Sequence, residues 1–241
     1  MKTAKTAKTA KTAKIATIAK TATLAVIAGA VALGLAGPAD AAAGTMYGDP
    51  VAAAKYWRYQ KYDDCVLMSS ADVIGQITGK EPSERAIITV AQATPSVVHP
   101  GSIYTTPANT KNPNSGMGTS FADIPTLLAL YKINATITNK EHAAKDGILG
   151  GIEGLEEQLG EGHQVIVSVN GELIWGQPVE NKDDNGNPRG DHAVVVTGID
   201  TANNVVHLND SGTKDGRDEQ IPMALFMKAW EAGKQLMVFT T

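Results

Sequence analysis

The stretch DHAVVVTGIDTANNVVHLNDSG, residues 191–212, contains two apolar runs separated by a short polar segment. Runs rich in valine and isoleucine that are bounded by Asp, Asn and Gly are typical of β-strands. The pattern therefore predicts a hairpin with strands over residues 192–199 and 205–209. Helical patterns mostly come earlier in the chain and strand patterns mostly later. This order predicts an α+β fold, in which an N-terminal helical part packs on an antiparallel β-sheet.

The register of this hairpin decides which polar side chains meet at its open end. If the hairpin is centred on Thr201, His192 lies directly opposite Asp210, and directly opposed Cβ atoms are about 4.5–5.5 Å apart. A slip of one residue would place Asn209 there instead, and an asparagine can also orient a histidine. The other residues on the hairpin face that carries His192 and Asp210 are apolar and are predicted to point into the core: Val194, Val196, Val206 and Leu208. The sequence thus predicts an imidazole beside a carboxylate or an amide, just beyond the core.

Cys65 is the single cysteine of the chain. The residues that follow it, Leu67, Ala71 and Ile74, recur at helical spacing, and a glycine follows Thr78, so a helix over 65–78 is predicted. A cysteine in the first helical turn lies near free N–H groups that favour a thiolate, by about 0.3–1 kcal/mol at an exposed terminus. Asp63 and Asp64, which can cap the helix, oppose that effect. A nearby imidazolium would therefore have to supply most of the stabilisation of a thiolate. The alternative is that Cys65 is a buried cysteine that acts as a small apolar residue.

Cys65 and His192 are the predicted centre of a nucleophilic site. A histidine held by a carboxylate can take a proton from a thiol, and a helix N-terminus can stabilise an oxyanion through the Cys65 N–H. Gln60 is the candidate for a second oxyanion donor. Each residue also has a simpler interpretation: His192 as a surface histidine, Asp210 as the first residue of a turn, and Gln60 as a solvated side chain. A zinc site of Cys65, His192 and His207 is a further alternative. The histidines lack the spacing that is typical of metal sites, so we expect no metal or other cofactor.

Four segments of the chain resemble papain-like cysteine peptidases, above all the bacteriocin-processing (double-glycine leader) peptidases and their secreted bacterial relatives. The segments are YQKYDDCVLMSSADVIGQITG, GTSFADIPTLLALYKINATI, GEGHQVIVSV and DHAVVVTGIDTANNVVHLNDSG. The resemblance implies the papain-like fold, with Cys65 as nucleophile, His192 as general base, Asp210 as the acid that orients it, and Gln60 as oxyanion donor. The chain departs from that pattern in one respect, because Val66-Leu67 follows the cysteine where relatives carry a Gly-Pro or similar small pair.

Residues 1–43 have the pattern of a secretory signal peptide. Lys-Thr-Ala repeats without acidic residues precede the apolar run ATLAVIAGAVALGLAG, and A-x-A sequences end at Ala41 and Ala43. We expect cleavage after one of these two alanines, which leaves a domain over 44–241, with an uncleaved N-terminal anchor as the alternative. The expected location is extracellular, with association with the cell envelope as a further option.

The sequence limits the function to a few classes. The net charge of −4 and the lack of a basic face interleaved with aromatic residues argue against nucleic acid as a partner. The first hypothesis is hydrolysis of a peptide or amide bond in an extracellular peptide or protein. The alternatives are a non-catalytic binding or structural module of the same fold, and acyl transfer in the cell wall by the same residues. No membrane span is expected after signal cleavage, and the oligomeric state is open.

Overall fold

The computed structural model describes residues 44–106 and 118–241, so the predicted signal peptide lies outside the described residues. The helices, numbered along the chain, are α1 (Pro50–Ala53), α2 (Cys65–Thr78), α3 (Glu84–Ala93), α4 (Ile124–Ala129), α5 (Gly151–Gly160), α6 (Gly171–Ile174) and α7 (Met223–Ala232). The strands are β1 (Met46–Gly48), β2 (Ala135–Thr138), β3 (Val165–Val169), β4 (His192–Asp200), β5 (Val205–Asn209), β6 (Glu219–Pro222) and β7 (Met237–Thr240). Short 3₁₀ turns at Ala54–Tyr56 and Phe121–Asp123 extend α1 and precede α4.

Within the described residues the strands form one antiparallel sheet in the order β2-β7-β3-β4-β5-β6, and β1 pairs with the second half of β4. Helices cover both faces, with α2, α3 and α4 on one face and α5 and α7 on the other. Consecutive residues of β3 belong to opposite cores, Ile166 to the first and Val165 and Val167 to the second. Strands covered on both faces read as continuous apolar runs, which explains VIVSV and HAVVV. The predicted α+β architecture, with helices packed on an antiparallel sheet, is confirmed.

Helix α2 is the predicted helix, with the same first and last residues. Cys65 to Gly75 are all buried, because the helix packs against the centre of the sheet as well as against α3 and α4. It ends where Gly79 takes a left-handed conformation, with φ of 71°, and donates its N–H to the carbonyl of Gly75. The packing of its buried residues fixes the N-terminus of α2 at the edge of the core, close to the start of β4.

The predicted register of the β4–β5 hairpin is wrong, although the predicted faces are right. Val196 pairs with Leu208, and Asp200 pairs with Val205, with a bulge between them, so Val195 lies opposite Asn209. The turn is centred between Ala202 and Asn203 rather than on Thr201, and Asp200 at its start accepts hydrogen bonds from the backbone and side chain of Asn203. The partner of Val196 is therefore displaced by two residues from the predicted one. Because side chains along a strand alternate between the two faces with a period of two residues, the predicted apolar face still points into the core.

Three further differences concern the edges of the fold. Strand β6 and helix α3 have no predicted counterpart. The pattern of residues 172–175, after the turn-forming pair Asn170-Gly171, favours a continuation of the preceding strand, but Gly171–Ile174 form the helical turn α6 instead. Asn170 causes this turn, because its side-chain oxygen accepts the N–H of Leu173 as a helix cap. The turn directs Trp175 back towards the start of β4, where the ring packs on His192.

Candidate active site

The structure brings Cys65, His192 and Asp210 together from three separate elements. Cys65 is the first residue of α2, His192 is the first residue of β4, and Asp210 directly follows β5. All three are buried, Cys65 and His192 line the same cavity, and the Cys65 side chain is close enough to contribute to the raised pKa of the imidazole. The Nε2 atom of His192 lies 2.6 Å from Oδ1 of Asp210. Since Asp210 occupies Nε2, Nδ1 is the ring nitrogen that remains for the thiol.

Asp210 rather than Asn209 contacts the histidine, by a diagonal contact. The observed register puts Asp210 two positions from the residue directly opposite His192, a distance that a ring can bridge. Asn209 has a different role: its side-chain amide donates to the carbonyl of Ala53 and to Asp72. The two alternatives left open by the sequence are therefore distinguished by geometry.

Two tryptophans hold Asp210 in place. Trp175 donates its indole N–H to Oδ2 of Asp210 at 2.8 Å, and Trp57 donates to the Asp210 carbonyl at 2.6 Å. The backbone N–H of Gly212 donates to Oδ1 at 2.7 Å. A side chain at residue 212 would come within 2.8 Å of both His192 and Trp175, so glycine is required for this close approach. From the sequence alone Trp57 and Trp175 are expected to be packing residues, and nothing in the pattern points to their hydrogen-bond partner.

His192 and Asp210 each stabilise the charged form of the other. Burial acts to lower the pKa of His192, but the charge and hydrogen bond of Asp210, together with Cys65, raise it well above its ordinary value. Burial acts to raise the pKa of Asp210, and here His192, Trp175 and Gly212 outweigh burial and lower it. A buried imidazole that is held in its protonated form by a carboxylate can exchange a proton with a neighbouring nucleophile or leaving group.

Gln60 lines the same cavity as Cys65 and His192. Its side-chain oxygen accepts from the hydroxyl of Ser211 at 2.7 Å, and its Nε2 donates to the carbonyl of Tyr62 at 2.9 Å. The backbone N–H of Gln60 also donates to the Ser211 carbonyl. These bonds fix the amide and use one of its two N–H groups, so one N–H remains for a ligand. Ser211 was not predicted, and it links Gln60 to the loop that carries Asp210.

The two acidic residues before Cys65 differ in environment. Asp64 precedes the helix, but its side chain makes no capping hydrogen bond, contrary to the sequence-based expectation, because it is buried and neither carboxylate oxygen has a partner. Burial, then Glu84 and Asp63, raise the pKa of Asp64 from 3.8 to about 8. Asp64 is therefore neutral at pH 7, and its predicted opposition to a thiolate disappears. Asp63 lines the cavity, and burial raises its pKa as well.

A cavity of about 800 Å³ opens above Cys65, His192 and Gln60. Val66 and Leu67 do not line it, because both side chains are buried in the core beneath. The departure from the small residue pair of relatives therefore does not obstruct the cavity. A second cavity of about 670 Å³, between residues 45–56 and the end of α5, contains none of the four predicted site residues.

The structure offers no support for a metal site. Among the described residues no group of three His, Cys, Asp or Glu side chains is arranged to hold an ion. His207 does not join His192, and its Nδ1 lies 2.7 Å from Asp218. Across residues 44–106 and 118–241, none of the helices is both long and apolar enough to span a membrane.

The fold and the family of the chain define a papain-like, cysteine peptidase-like protein. The model of the Peptidase_C39 like family matches residues 103–238, which include His192 and Asp210. The chain belongs to this family. Relatives include the uncharacterized proteins Rv1268c of Mycobacterium tuberculosis and Mb1299c of Mycobacterium bovis, each 71% identical over 214 residues, covering 89% of this chain and 92% of theirs.

Solved structures agree at the level of the fold. A crystal structure described as a C39-like peptidase from Bacillus anthracis superposes with a TM-score of 0.51 at 17% identity, covering 82% of this chain and 98% of that one. A double-glycine motif protease solved with its leader peptide reaches 0.42 at 14% identity, over 76% of this chain and 88% of that one.

Proposed function

We propose that the protein is a thiol-dependent hydrolase of peptide or amide bonds, with Cys65 as nucleophile. The observation that carries the proposal is the 2.6 Å contact between His192 and Asp210, with the only thiol of the chain lining the same cavity as the imidazole. A structural ion pair would need neither the thiol nor a cavity of about 800 Å³ above it. Membership of the peptidase family supports the same class of reaction.

In this mechanism the Cys65 thiolate attacks the substrate carbonyl carbon, forming a C–S bond and an oxyanion. The Cys65 N–H and the free N–H of Gln60 donate hydrogen bonds to the oxyanion. The His192 imidazolium gives its Nδ1 proton to the leaving nitrogen, and the C–N bond breaks. Water then attacks the thioester while His192 takes its proton, which releases the acid and restores the thiolate. Asp210 keeps the ring oriented and stabilises its positive charge throughout.

Alkylation of the protein by iodoacetamide across pH tests the proposal. Because there is one cysteine, mass spectrometry of the intact protein reports on Cys65 alone. We expect the rate at pH 6 to remain within about threefold of the rate at pH 8. In His192→Ala the rate should fall about 100-fold over this interval, since an ordinary thiol with a pKa of about 8.5 is almost fully protonated at pH 6.

The exposed His142 provides the matched control, and His142→Ala should retain the wild-type pH profile. If wild-type Cys65 instead reacts slowly, with the pH dependence of free cysteine, the proposed hydrolase is wrong. The non-catalytic binding module would then be the better description.

We further propose that the protein is exported and acts on an extracellular peptide or protein. The support is the basic and apolar pattern of residues 1–43 with its A-x-A sequences. Expression in an actinobacterial host with a secretory pathway should yield a culture-medium form that begins at Ala42 or Gly44, as measured by N-terminal sequencing. A form that keeps residues 1–43 and stays with the cells would support an uncleaved anchor and contradict export in soluble form.

A further inference from the structure

Acidic side chains dominate the wall of the active-site cavity. Asp63, Glu172, Glu180 and Asp191 line it, and Lys61 is the one lysine or arginine among the described lining residues. None of these five side chains forms a salt bridge within 4.0 Å in the part of the chain that the structure describes. Their charges are therefore free to act on a molecule that enters the cavity.

Three of the four carboxylates lie together on the side of His192. Asp191 directly precedes His192, and its Oδ1 accepts the N–H of Gly171 at 2.9 Å. Glu172 follows Gly171, and its Oε2 accepts the N–H of Glu180 at 2.8 Å. Each of these bonds uses a single carboxylate oxygen and fixes the group, so the other oxygen remains for a ligand. We call Glu172, Glu180 and Asp191 the acidic wall.

The segment that leads to Cys65 contributes little net charge to the cavity. Lys61 and Asp63 lie two residues apart in this segment, and their formal charges cancel. Burial also raises the pKa of Asp63. The negative potential of the cavity is therefore concentrated at the acidic wall, beside the histidine.

Aromatic side chains line the same cavity. The ring of Trp175 packs on His192, and the half-exposed Tyr59 stands at the cavity rim. Aromatic faces accommodate the methylene stem of a lysine or arginine and attract its cationic end. The cavity thus combines surfaces for the stem of a basic side chain with carboxylates for its charge.

We propose that the substrate carries a positive charge beside the scissile bond, and that the acidic wall binds it. The substrate class is a cationic peptide, with a lysine, an arginine or a free amine on the His192 side of the reacting carbonyl. This inference rests on the proposed hydrolase function and specifies which class of substrate the hydrolase accepts. The same wall repels peptides with an acidic residue at that position.

Charged thiol reagents measure the potential at Cys65 directly. Trimethylammonioethyl methanethiosulfonate and sulfonatoethyl methanethiosulfonate carry opposite charges, and with both the thiolate forms a mixed disulfide and releases methanesulfinate. Each rate is divided by the rate of the same reagent with mercaptoethanol, which removes intrinsic reactivity. We expect the normalised rate of the cationic reagent to exceed that of the anionic reagent about tenfold at low ionic strength, and the ratio to fall as salt is added.

Neutral isosteres of the acidic wall assign this ratio to residues. Glu172→Gln combined with Asp191→Asn keeps both hydrogen-bond acceptors and removes two charges, and should lower the ratio at least threefold. Glu153→Gln combined with Glu157→Gln, at two exposed positions on α5 that do not line the cavity, removes the same charge and should leave the ratio unchanged. Lys61→Gln should raise the ratio slightly.

Two peptidyl chloromethyl ketones, identical except for Lys or Glu beside the reacting residue, extend the test to peptides. The thiolate displaces chloride, and the Lys compound should inactivate the protein about tenfold faster. A ratio near one with a reactive Cys65 overturns the cationic preference and leaves the hydrolase intact. A high ratio that the acidic-wall variant does not change overturns the assignment to this wall. A thiol with the pH profile of free cysteine contradicts the hydrolase itself, whatever the ratio.

Discussion

Replacing Asp210 with alanine is expected to lower the free energy of unfolding by about 3–5 kcal/mol, because it removes one partner of a buried ion pair. Asp210 has no exposed surface, and its carboxylate accepts three hydrogen bonds: from Trp175, from Gly212 and from His192. Alanine would leave the indole and backbone N–H groups without partners in the interior, and would leave the imidazolium without its counter-charge.

The sign of the pH dependence follows from the two pKa shifts. The pKa of Asp210 is lowered in the folded protein, so its contribution is fully present above its ordinary value of 3.8 and is lost as pH falls through the folded value. The pKa of His192 is raised, so its contribution is present below 6.5 and is lost as pH rises through the folded value. The stability difference between wild type and Asp210→Ala should therefore be largest, and nearly constant, between about pH 4 and 6.5.

Urea denaturation followed by circular dichroism measures this difference. The exposed Asp184 provides the control, since Asp184→Ala should stay within about 0.5 kcal/mol of wild type. Asp210→Asn keeps the shape of the side chain and removes the charge, so it should fold more stably than Asp210→Ala. It should still lose most of the alkylation rate of Cys65 at pH 6, because the pKa of His192 would fall. A loss below 1 kcal/mol in Asp210→Ala would mean that the pair is not formed in solution.

The parts of the fold that the sequence predicts well are those with strong local signals. Helix α2 has apolar residues at helical spacing and a glycine at its end, and its predicted bounds match the structure. Strands β4 and β5 are continuous apolar runs, which local pattern identifies with little dependence on context. The pairing of His192 with an acidic residue was also predictable, because both flank the same hairpin.

The parts that were not predictable depend on contacts between distant segments. Strand β6, with the sequence EQIP, buries only Ile221, and pairing with β5 rather than its own pattern makes it a strand. The register of the β4–β5 hairpin depends on the bulge between Val196 and Gly198, which no local motif marks. The hydrogen bonds of Trp57 and Trp175 to Asp210 join residues more than thirty positions apart. Spacing in the sequence carries no signal for such contacts.

Replacing Asp64 with asparagine is expected to stabilise the protein at pH 8 by about 3 kcal/mol or more, and to have little effect at pH 4. Asp64 is 1% exposed, and burial followed by Glu84 and Asp63 raises its pKa from 3.8 to about 8. Between these two values the folded protein holds a proton that the unfolded chain has lost, so stability falls as pH rises, by about 1.4 kcal/mol for each pH unit. Asparagine does not titrate and avoids this loss.

Urea denaturation of wild type and Asp64→Asn at pH 4, 6 and 8 measures the slope, and Asp184→Asn at an exposed position should follow wild type at each pH. Asp72 and Glu81 have pKa values raised to about 7, so both proteins should lose some stability as pH rises from about 4 to 7, and the difference between the two proteins isolates Asp64. The same comparison bears on the active site. If Asp64 is neutral in the wild type, a Cys65 thiolate has no negative charge on the residue directly before it. Equal slopes in the two proteins would show that Asp64 ionises freely near pH 4, and the thiolate would then have to form beside a second anion.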